Sequence, residues 1–173
     1  MARNIELKAR CPDLVAAGRI ARGLGATHHG SERQQDTYFG GGDGRLKLRQ
    51  RWAENRHLPS ELIWYRRSDE PRPRPSDYSL VIVANGTEMR AVLAGALGIV
   101  TEVVKQRTVY LHDNVRIHLD DVMNLGTFLE FEAIVDATCD DAAALAKLER
   151  LRVAFAIAPE HVLSTSYADL LRR

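Results

Sequence analysis

The sequence predicts an antiparallel α+β domain of about eight strands and four helices. Three observations lead to this prediction. Charged and apolar residues alternate with a period of two in several segments, which is the pattern of a strand whose two faces differ. The connections between these segments are too short for parallel crossovers throughout. The remaining segments have the apolar spacing or the capping signals of helices.

The N-terminal part of the chain contains three strands and a helix. Polar and apolar residues alternate over residues 4–10, which predicts the first strand. Helical spacing over residues 13–24, followed by Gly25, predicts a helix with a glycine cap. Residues 35–39 and 45–51 are strand-like segments on either side of a glycine-rich run, and this arrangement predicts a hairpin.

The middle of the chain contains two strands and a helix. Residues 62–67 and 78–84 have the composition of strands. The proline-rich run 70–75 lies between them, and we expect it to be an exposed, extended loop outside the sheet. Residues 87–97 are predicted to form a helix capped by Thr87.

The C-terminal part of the chain completes the sheet and adds two helices. Residues 101–111 and 114–120 predict a hairpin, and residues 127–135 predict the eighth strand. A helix follows over residues 140–155, and Pro159 begins a last one. Nothing in this order indicates a domain boundary, so we expect a single domain over residues 1–173.

The composition is that of an ordinary soluble protein, with 45% apolar and 27% charged residues. The 24 Lys and Arg residues nearly balance the 23 Asp and Glu residues, which disfavours a nucleic-acid partner. Cys11 and Cys139 form no paired motif and favour the reducing cytoplasm. There is no apolar leader and no apolar run of about 18 residues, so we expect no membrane partner.

Charged side chains are concentrated on one face of the predicted strands and are sorted by strand. The cations of this face are Lys8, Arg10, Arg45, Lys47, Arg49, Lys105, Arg107 and Arg116. Its carboxylates are Glu6, Asp120, Glu130 and Glu132. In an open sheet such a face would meet water, whereas in a closed barrel it would line the interior. The sorting of cations and carboxylates onto different strands favours the barrel.

These residue types suit one kind of chemistry. Arg and Lys side chains bind phosphate oxygens, by fork geometry and as a point charge respectively. Carboxylates that would otherwise repel one another hold Mg²⁺ or Mn²⁺. Cations for phosphate together with carboxylates for a metal are the parts of a phosphoryl-transfer site.

A series of short motifs resembles the CYTH family, also called the triphosphate tunnel metalloenzymes. The segment Asn4-Ile5-Glu6-Leu7-Lys8 resembles the family's N-terminal E-x-E-x-K signature. The likeness continues in family order through residues 36–39, 45–49, 105–107, 120–122 and 125–132. Ser76-Asp77-Tyr78 is most similar to the branch assigned to class IV adenylate cyclases.

The resemblance implies an eight-stranded antiparallel β-barrel, with helices packed outside, whose tunnel binds a triphosphate. It assigns catalytic roles to Glu6, Lys8, Glu130 and Glu132, and metal contacts with Mg²⁺ or Mn²⁺ to Glu6, Asp120, Glu130 and Glu132. It assigns phosphate contacts to Lys8, Arg45, Lys47, Arg49, Arg66, Lys105, Arg107 and Arg116. The phosphate contact on this strand is assigned to Arg66, although the family usually has Lys there. The adjacent Arg67 is the alternative for the same contact.

The implied substrates are ATP, thiamine triphosphate and tripolyphosphate. The implied reaction is either cyclisation of ATP to cyclic AMP and pyrophosphate or hydrolysis of the triphosphate. One departure from the signature is Asn4, where the family has Glu. An amide oxygen can coordinate a metal but brings no charge, so three alternatives stay open: a one-metal enzyme, a changed substrate, and a non-catalytic protein that binds polyphosphate, nucleotide or the 5′ end of RNA.

Two further questions stay open at this point. His118 shares the charged face, where it can be a proton carrier or a hydrogen-bonded structural residue. The sequence is compatible with a monomer and with a homodimer.

Overall fold

The computed structural model describes residues 2–54, 56–68 and 70–172. These residues form a closed barrel of eight strands in the order β1-β5-β4-β3-β2-β6-β7-β8. The strands are β1 (Ala2–Arg10), β2 (Thr27–Phe39), β3 (Arg45–Ala53), β4 (Arg56–Arg67), β5 (Arg74–Val83), β6 (Ile99–His112), β7 (Val115–Val122) and β8 (Gly126–Val135). The helices are α1 (Leu14–Gly23), α2 (Gly86–Leu97), α3 (Asp141–Ala154) and α4 (Tyr167–Leu171). All neighbouring strands pair in antiparallel fashion, which confirms the predicted fold class.

Several strands are longer than predicted. β2 begins at Thr27 and pairs with β6 along residues that are mostly exposed at first, from Thr27 to Ser31. Exposed ends of a ladder have no buried face, so they carry no alternation of apolar and polar residues for a sequence pattern to detect.

The proline-rich run is only partly the loop that we predicted. Arg74 and Pro75 begin β5 and pair with Glu6 and Ile5 of β1, and Arg74 is 1% exposed. The ladder between β4 and β5 ends at Ser76. Pro75 therefore has a strand on one side only, which is the position in a sheet where its missing N–H is tolerated.

Two helix starts also differ from the prediction. The cap of α2 is Asn85, whose Oδ1 accepts a hydrogen bond from the N–H of Glu88 (3.1 Å), and Thr87 already lies inside the helix. Pro159 begins only a short 3-10 turn. After that turn the chain runs beside β1, where Val162 bridges to Ala9, and these backbone contacts delay the last helix until Tyr167.

The apolar faces of the strands pack against the helices outside the barrel. Leu7, Ile117 and Phe131 are fully buried, and they form one cluster with residues of α1 and α3. A smaller cluster lies between α2 and the strands around Leu48. The charged faces consequently point into the barrel. Among the described residues, no helix is both long enough and apolar enough to cross a membrane.

α4 lies across one end of the barrel. Tyr167 and Ala168 form a buried cluster with Val103, Val122 and Phe128. These last three residues share the inward face of their strands with Lys105, Asp120 and Glu130, which lie at even spacings from them. The helix therefore covers the inside of the barrel at that end.

Candidate active site

A cavity of about 250 Å³ occupies the inside of the barrel. Tyr167 and Ser166 form its floor at the end that α4 covers, and both residues are buried. At the other end, Leu80 is 42% exposed, and the side chains of Arg51 and Arg116 are partly exposed. The cavity is thus a pocket with one open mouth.

Most of the predicted phosphate-binding cations line this pocket. They are Lys8, Lys47, Arg49, Lys105, Arg107 and Arg116. Arg45 belongs to the same face of β3, but it lies near the floor, where its guanidinium donates to Asp169 of α4 (2.9 Å). The structure therefore places Arg45 against the covering helix and outside the lining of the pocket.

The structure corrects the assignment of Arg66. Its side chain is 55% exposed and pairs with Asp43 in the glycine-rich turn (2.6 Å). The side chain of the next residue, Arg67, is 3% exposed and lines the pocket. Successive residues of a strand face opposite sides, so only one of the two arginines can point inward. The residue type alone did not indicate which one it was.

Arg67 is only partly satisfied by its neighbours. Its Nη1 donates to Oε1 of Glu6 at 2.7 Å. Its Nε and Nη2 are buried and have no hydrogen-bond partner among the described residues. Buried donors without partners are rare, and in a cavity they indicate a place where a ligand supplies the acceptors.

Asp36 is an acidic residue of the site that the sequence-based assignment missed. Its carboxylate accepts from Lys47 (3.0 Å), Lys105 (2.9 Å) and, through two hydrogen bonds, Arg49 (2.7 and 2.9 Å). Burial raises the pKa of Asp36, but Arg49, Lys105 and Lys47 outweigh it and hold the pKa well below its ordinary value. One carboxylate thus gathers three cations.

Lys105 is the most perturbed cation in this group. Burial disfavours its charged form, and the nearby charges of Arg49, Arg107 and Lys47 act in the same direction. Asp36 opposes these effects only in part, and the pKa of Lys105 falls to about 7. The ammonium group is therefore held in a state from which it is readily deprotonated.

Glu130 lies at the centre of the opposite wall of the pocket. Its Oε1 pairs with Lys8 (3.0 Å), and its Oε2 accepts from Arg107 (2.7 Å). Burial raises the pKa of Glu130, but Lys8, His118 and Arg107 outweigh this effect and hold the pKa well below its ordinary value. Glu130 is therefore a buried carboxylate that stays ionised.

Asp120 lies next to this wall, toward the end of the barrel that α4 covers. It is fully buried and accepts two hydrogen bonds from Arg107 (2.7 and 2.6 Å) and one from the Tyr167 hydroxyl (2.9 Å). It is not part of the pocket lining. We predicted a metal-facing role for Asp120, but this placement makes it a partner of Arg107 and of the covering helix.

Glu6 and Glu132 face each other across neighbouring strands and both line the pocket. Glu6 pairs with Arg67, and Oε2 of Glu132 lies 3.2 Å from Nε of Arg116. Asn4, which replaces the first Glu of the signature, also lines the pocket. In the amide orientation that satisfies its neighbours, its Oδ1 accepts from Arg116 (3.1 Å).

One group of side chains has the donor atoms for a divalent cation. His118, Glu130 and Glu132 each present one ligand atom, and these atoms all lie within 4.8 Å of one another. Imidazole nitrogen and carboxylate oxygen are ligands for first-row divalent metals. Two of the four residues that we predicted to face the metal, Glu130 and Glu132, belong to this group.

A second ionic group surrounds the open mouth. Arg51 donates to Glu32 (2.8 Å) and to Glu61 (2.6 Å), and all three side chains line the pocket. These pairs join β2, β3 and β4 at the rim. The sequence analysis did not single them out, because the predicted third strand ended at Arg51 and the other two residues lay outside predicted strands.

The chain matches known families and structures over nearly its whole length. Residues 2–167 match the family model described as the CYTH domain. None of the curated proteins matches the chain. The structure is similar to that of the PH1012 protein from Pyrococcus horikoshii OT3, with 23% sequence identity, coverage of 96% of this chain and 98% of that chain, and a TM-score of 0.82.

Two further solved structures carry descriptions of activity. A provisionally assigned adenylate cyclase from Vibrio parahaemolyticus is 17% identical, with 98% of both chains covered and a TM-score of 0.74. HpAC1 from Hippeastrum, described as having a dominant triphosphatase activity, is 15% identical, with 99% and 95% covered and a TM-score of 0.65. At these identities the likeness shows a common fold. Because the family match extends from residue 2 to residue 167, the chain belongs to the CYTH domain family.

Proposed function

We propose that this protein is a divalent-metal-dependent enzyme that binds a triphosphate compound inside its barrel and cleaves it. The observation that carries the proposal is the convergence, in one pocket, of six predicted phosphate-binding cations with Glu6, Glu130 and Glu132. Cations for the phosphates and carboxylates for a metal are the parts that phosphoryl transfer requires.

The basic side of the pocket would hold the phosphate chain. Lys47, Arg49 and Lys105 all donate to Asp36, and Glu61, which lies 3.9 Å from Arg49, also pairs with Arg51, so the three cations together keep excess positive charge. The two unpartnered nitrogens of Arg67 offer further donors. A triphosphate supplies acceptors to all of these groups in a site that excludes most water, where charge-assisted hydrogen bonds are strong.

The opposite side would hold the metal. Glu130, Glu132 and His118 have suitable donor types, and their ligand atoms lie close enough together to fit one ion. When bound, a divalent ion neutralises charge on the phosphate oxygens and orients the phosphate chain. Lys8 and Arg107 now pair with Glu130, and they would turn to the phosphates once the carboxylate has another partner.

The size of the pocket favours hydrolysis over cyclisation. Its volume of about 250 Å³ is at or below the lower end of the range for pockets that enclose a drug-sized ligand. A phosphate chain fits such a space, whereas a nucleoside would remain at the rim, beside Arg51 and Leu80. In hydrolysis water attacks the terminal phosphorus, the bond from that phosphorus to the bridging oxygen breaks, the diphosphate is the leaving group, and orthophosphate is released. In cyclisation the ribose 3′-oxygen must instead reach the α-phosphorus and expel pyrophosphate.

A direct test incubates the protein with Mg²⁺ or Mn²⁺ and, separately, ATP, tripolyphosphate or thiamine triphosphate. We expect metal-dependent release of orthophosphate. Cyclic AMP with pyrophosphate would instead identify a class IV adenylate cyclase reaction and would contradict the preference for hydrolysis. The absence of every product with all three compounds would contradict the enzymatic proposal as a whole.

The rival function is non-catalytic binding of a polyphosphate, nucleotide or RNA 5′ end. Asn4 is the observation that favours it, because an amide lines the pocket where the family signature has a carboxylate. For such a binder, tripolyphosphate would raise the melting temperature without any metal-dependent turnover. If Asn4→Glu then created turnover, the loss of that carboxylate would explain the inactivity.

A further inference from the structure

His118 lies between two carboxylates in the pocket. It projects from β7 into the barrel, and its side chain is 6% exposed. Its Nδ1 is 3.4 Å from Oε2 of Glu130 and 3.8 Å from Oε1 of Glu132. A buried imidazole in such a place either donates a hydrogen bond or binds an ion.

Both distances from Nδ1 to the carboxylate oxygens are long for a hydrogen bond. An N–H···O hydrogen bond is usually about 2.7–3.2 Å long, and both contacts of Nδ1 exceed this range. The same Oε2 of Glu130 already accepts from Arg107 at 2.7 Å. Ligands of one octahedral ion, with bonds of about 2.1 Å, lie roughly 3–4.2 Å apart. The two separations fall inside that interval.

A second observation indicates that a ligand occupies this part of the pocket. Arg67 lines the same cavity, and its Nε and Nη2 are buried without a partner among the described residues. Its Nη1 donates to Glu6, which pairs in register with Glu132. An anion placed there would lie beside a cation held by Glu132, as a metal-bound phosphate does.

We propose that His118 is a ligand of the divalent cation, together with Glu130 and Glu132, and that its imidazole gives the site a preference for Mn²⁺ over Mg²⁺. The basis for this preference is that Mg²⁺ takes oxygen ligands, whereas imidazole nitrogen suits the first-row transition metals. For binding, Nδ1 offers its lone pair and the ring proton is on Nε2. The assignment rests on the proposed function, because the cation is the one that the proposed enzyme would use. Binding of that cation can be measured without any turnover.

Pulsed electron paramagnetic resonance of the Mn²⁺-loaded protein tests the assignment directly. Mn²⁺ is added alone and with tripolyphosphate, and we expect the coupling of a directly bound ¹⁴N nucleus in at least one of the two states. Selective ¹⁵N-histidine labelling of the unsubstituted protein should change that coupling. If Mn²⁺ binds in neither state, or binds with no histidine nitrogen coupled, the assignment is wrong.

Substitution identifies the histidine. In His118→Gln we expect the nitrogen coupling to disappear and the affinity for Mn²⁺ to fall about tenfold or more, while the affinity for Mg²⁺ changes less. The control is His29→Gln, because His29 is exposed on β2 and outside the pocket lining. Nitrogen coupling that persists in His118→Gln, or equal losses of Mn²⁺ and Mg²⁺ affinity, would overturn the proposal.

The two proposals fail in different ways. Nitrogen coupling without any cleavage of a triphosphate would keep His118 as a ligand and contradict the proposed enzyme. Cleavage with Mn²⁺ bound only through oxygen would keep the enzyme and contradict the ligand. If His118→Gln does not fold, as judged by circular dichroism, the ¹⁵N-labelled unsubstituted protein decides alone.

Discussion

The two walls of the pocket balance their charges differently. The basic wall consists of Asp36 with Lys47, Arg49 and Lys105, so that one carboxylate faces three cations. The acidic wall consists of Glu130 and Glu132 with Lys8, Arg107 and Arg116, and Asp120 next to it also pairs with Arg107, so that three carboxylates balance three cations. The basic wall therefore has an excess of positive charge even without a ligand, and the acidic wall does not.

This difference predicts how the pocket fills. A phosphate chain can bind the basic wall without breaking many of its ion pairs. On the acidic wall, each cation that turns to a phosphate leaves a buried carboxylate uncompensated, and an uncompensated buried charge is strongly unfavourable. A divalent ion removes that penalty. We therefore expect the metal and the triphosphate to bind with positive coupling, in which each raises the affinity for the other.

The largest expected effect is on the basic wall. Asp36→Asn takes from Lys47, Arg49 and Lys105 the buried anion to which all three donate, and breaking a buried ionic group in this way typically costs about 3–5 kcal/mol of unfolding free energy. Denaturant unfolding measures the loss. Tripolyphosphate should restore more stability to Asp36→Asn than to the unsubstituted protein, because it replaces the missing anion.

A matched control separates this effect from a general response to loss of a carboxylate. Asp43→Asn removes the exposed partner of Arg66, and exposed pairs contribute little to stability. If Asp36→Asn and Asp43→Asn were equally stable, Asp36 would not be the anion that holds the basic wall together.

The second prediction concerns the acidic wall. Glu130→Gln keeps the shape of the side chain but removes the charge that a metal needs. A metal contributes several kcal/mol to phosphoryl transfer, so we expect metal-dependent turnover to fall about a hundredfold or more. Turnover assays across a range of Mn²⁺ concentrations measure the change, and circular dichroism checks the fold. Near-normal turnover would show that Glu130 is not a metal ligand.

Much of this fold could be predicted from local patterns. The alternation in residues 4–10 and 127–135 identifies β1 and β8 as strands, because each of them has one apolar face and one charged face. The pairing of β1 with β5 could not be predicted in this way, because it joins strands that are far apart in the chain. The same is true of Pro75, whose tolerance in the sheet depends on where β4 ends.

The candidate site was predictable for residue types and less so for partners. Lys47, Arg49, Glu130 and Glu132 were selected because charge repeats along one strand face. Asp36 is the single acid of the strand predicted over residues 35–39, and only the folded barrel brings it to three cations. Similarly, the contact of Tyr167 with Asp120 joins residues 47 positions apart, and no local pattern indicates it.

A third prediction uses two adjacent arginines to sharpen the contrast between pocket and surface. Arg67→Gln removes the buried donors that have no partner, and we expect the affinity for tripolyphosphate to fall about tenfold or more, as for loss of a hydrogen bond to a charged group. Arg66→Gln should leave the affinity unchanged, because Arg66 faces solvent and pairs with Asp43. Isothermal titration calorimetry compares the two variants, and a larger effect in Arg66→Gln would reverse the inward assignment.

The smallest expected effect is a pH dependence that originates on the basic wall. The pKa of Lys105 is about 7, and a bound triphosphate favours the protonated amine. The complex therefore holds more protons than the free protein, so binding weakens as the pH rises through 7. From pH 7 to pH 8 the affinity for tripolyphosphate should fall about fivefold if binding requires the charged form.

Lys105→Gln separates this step from the ionisation of tripolyphosphate itself. The variant has no proton to gain at this position, so its affinity should be low at pH 6 and lack the fall that Lys105 causes. Titration calorimetry at pH 6, 7 and 8 on both proteins measures the difference. If the two pH profiles run parallel, Lys105 is not the group whose protonation controls binding. The pH profile thus shows whether the charge that the basic wall offers to a phosphate chain depends on the one amine whose pKa is about 7.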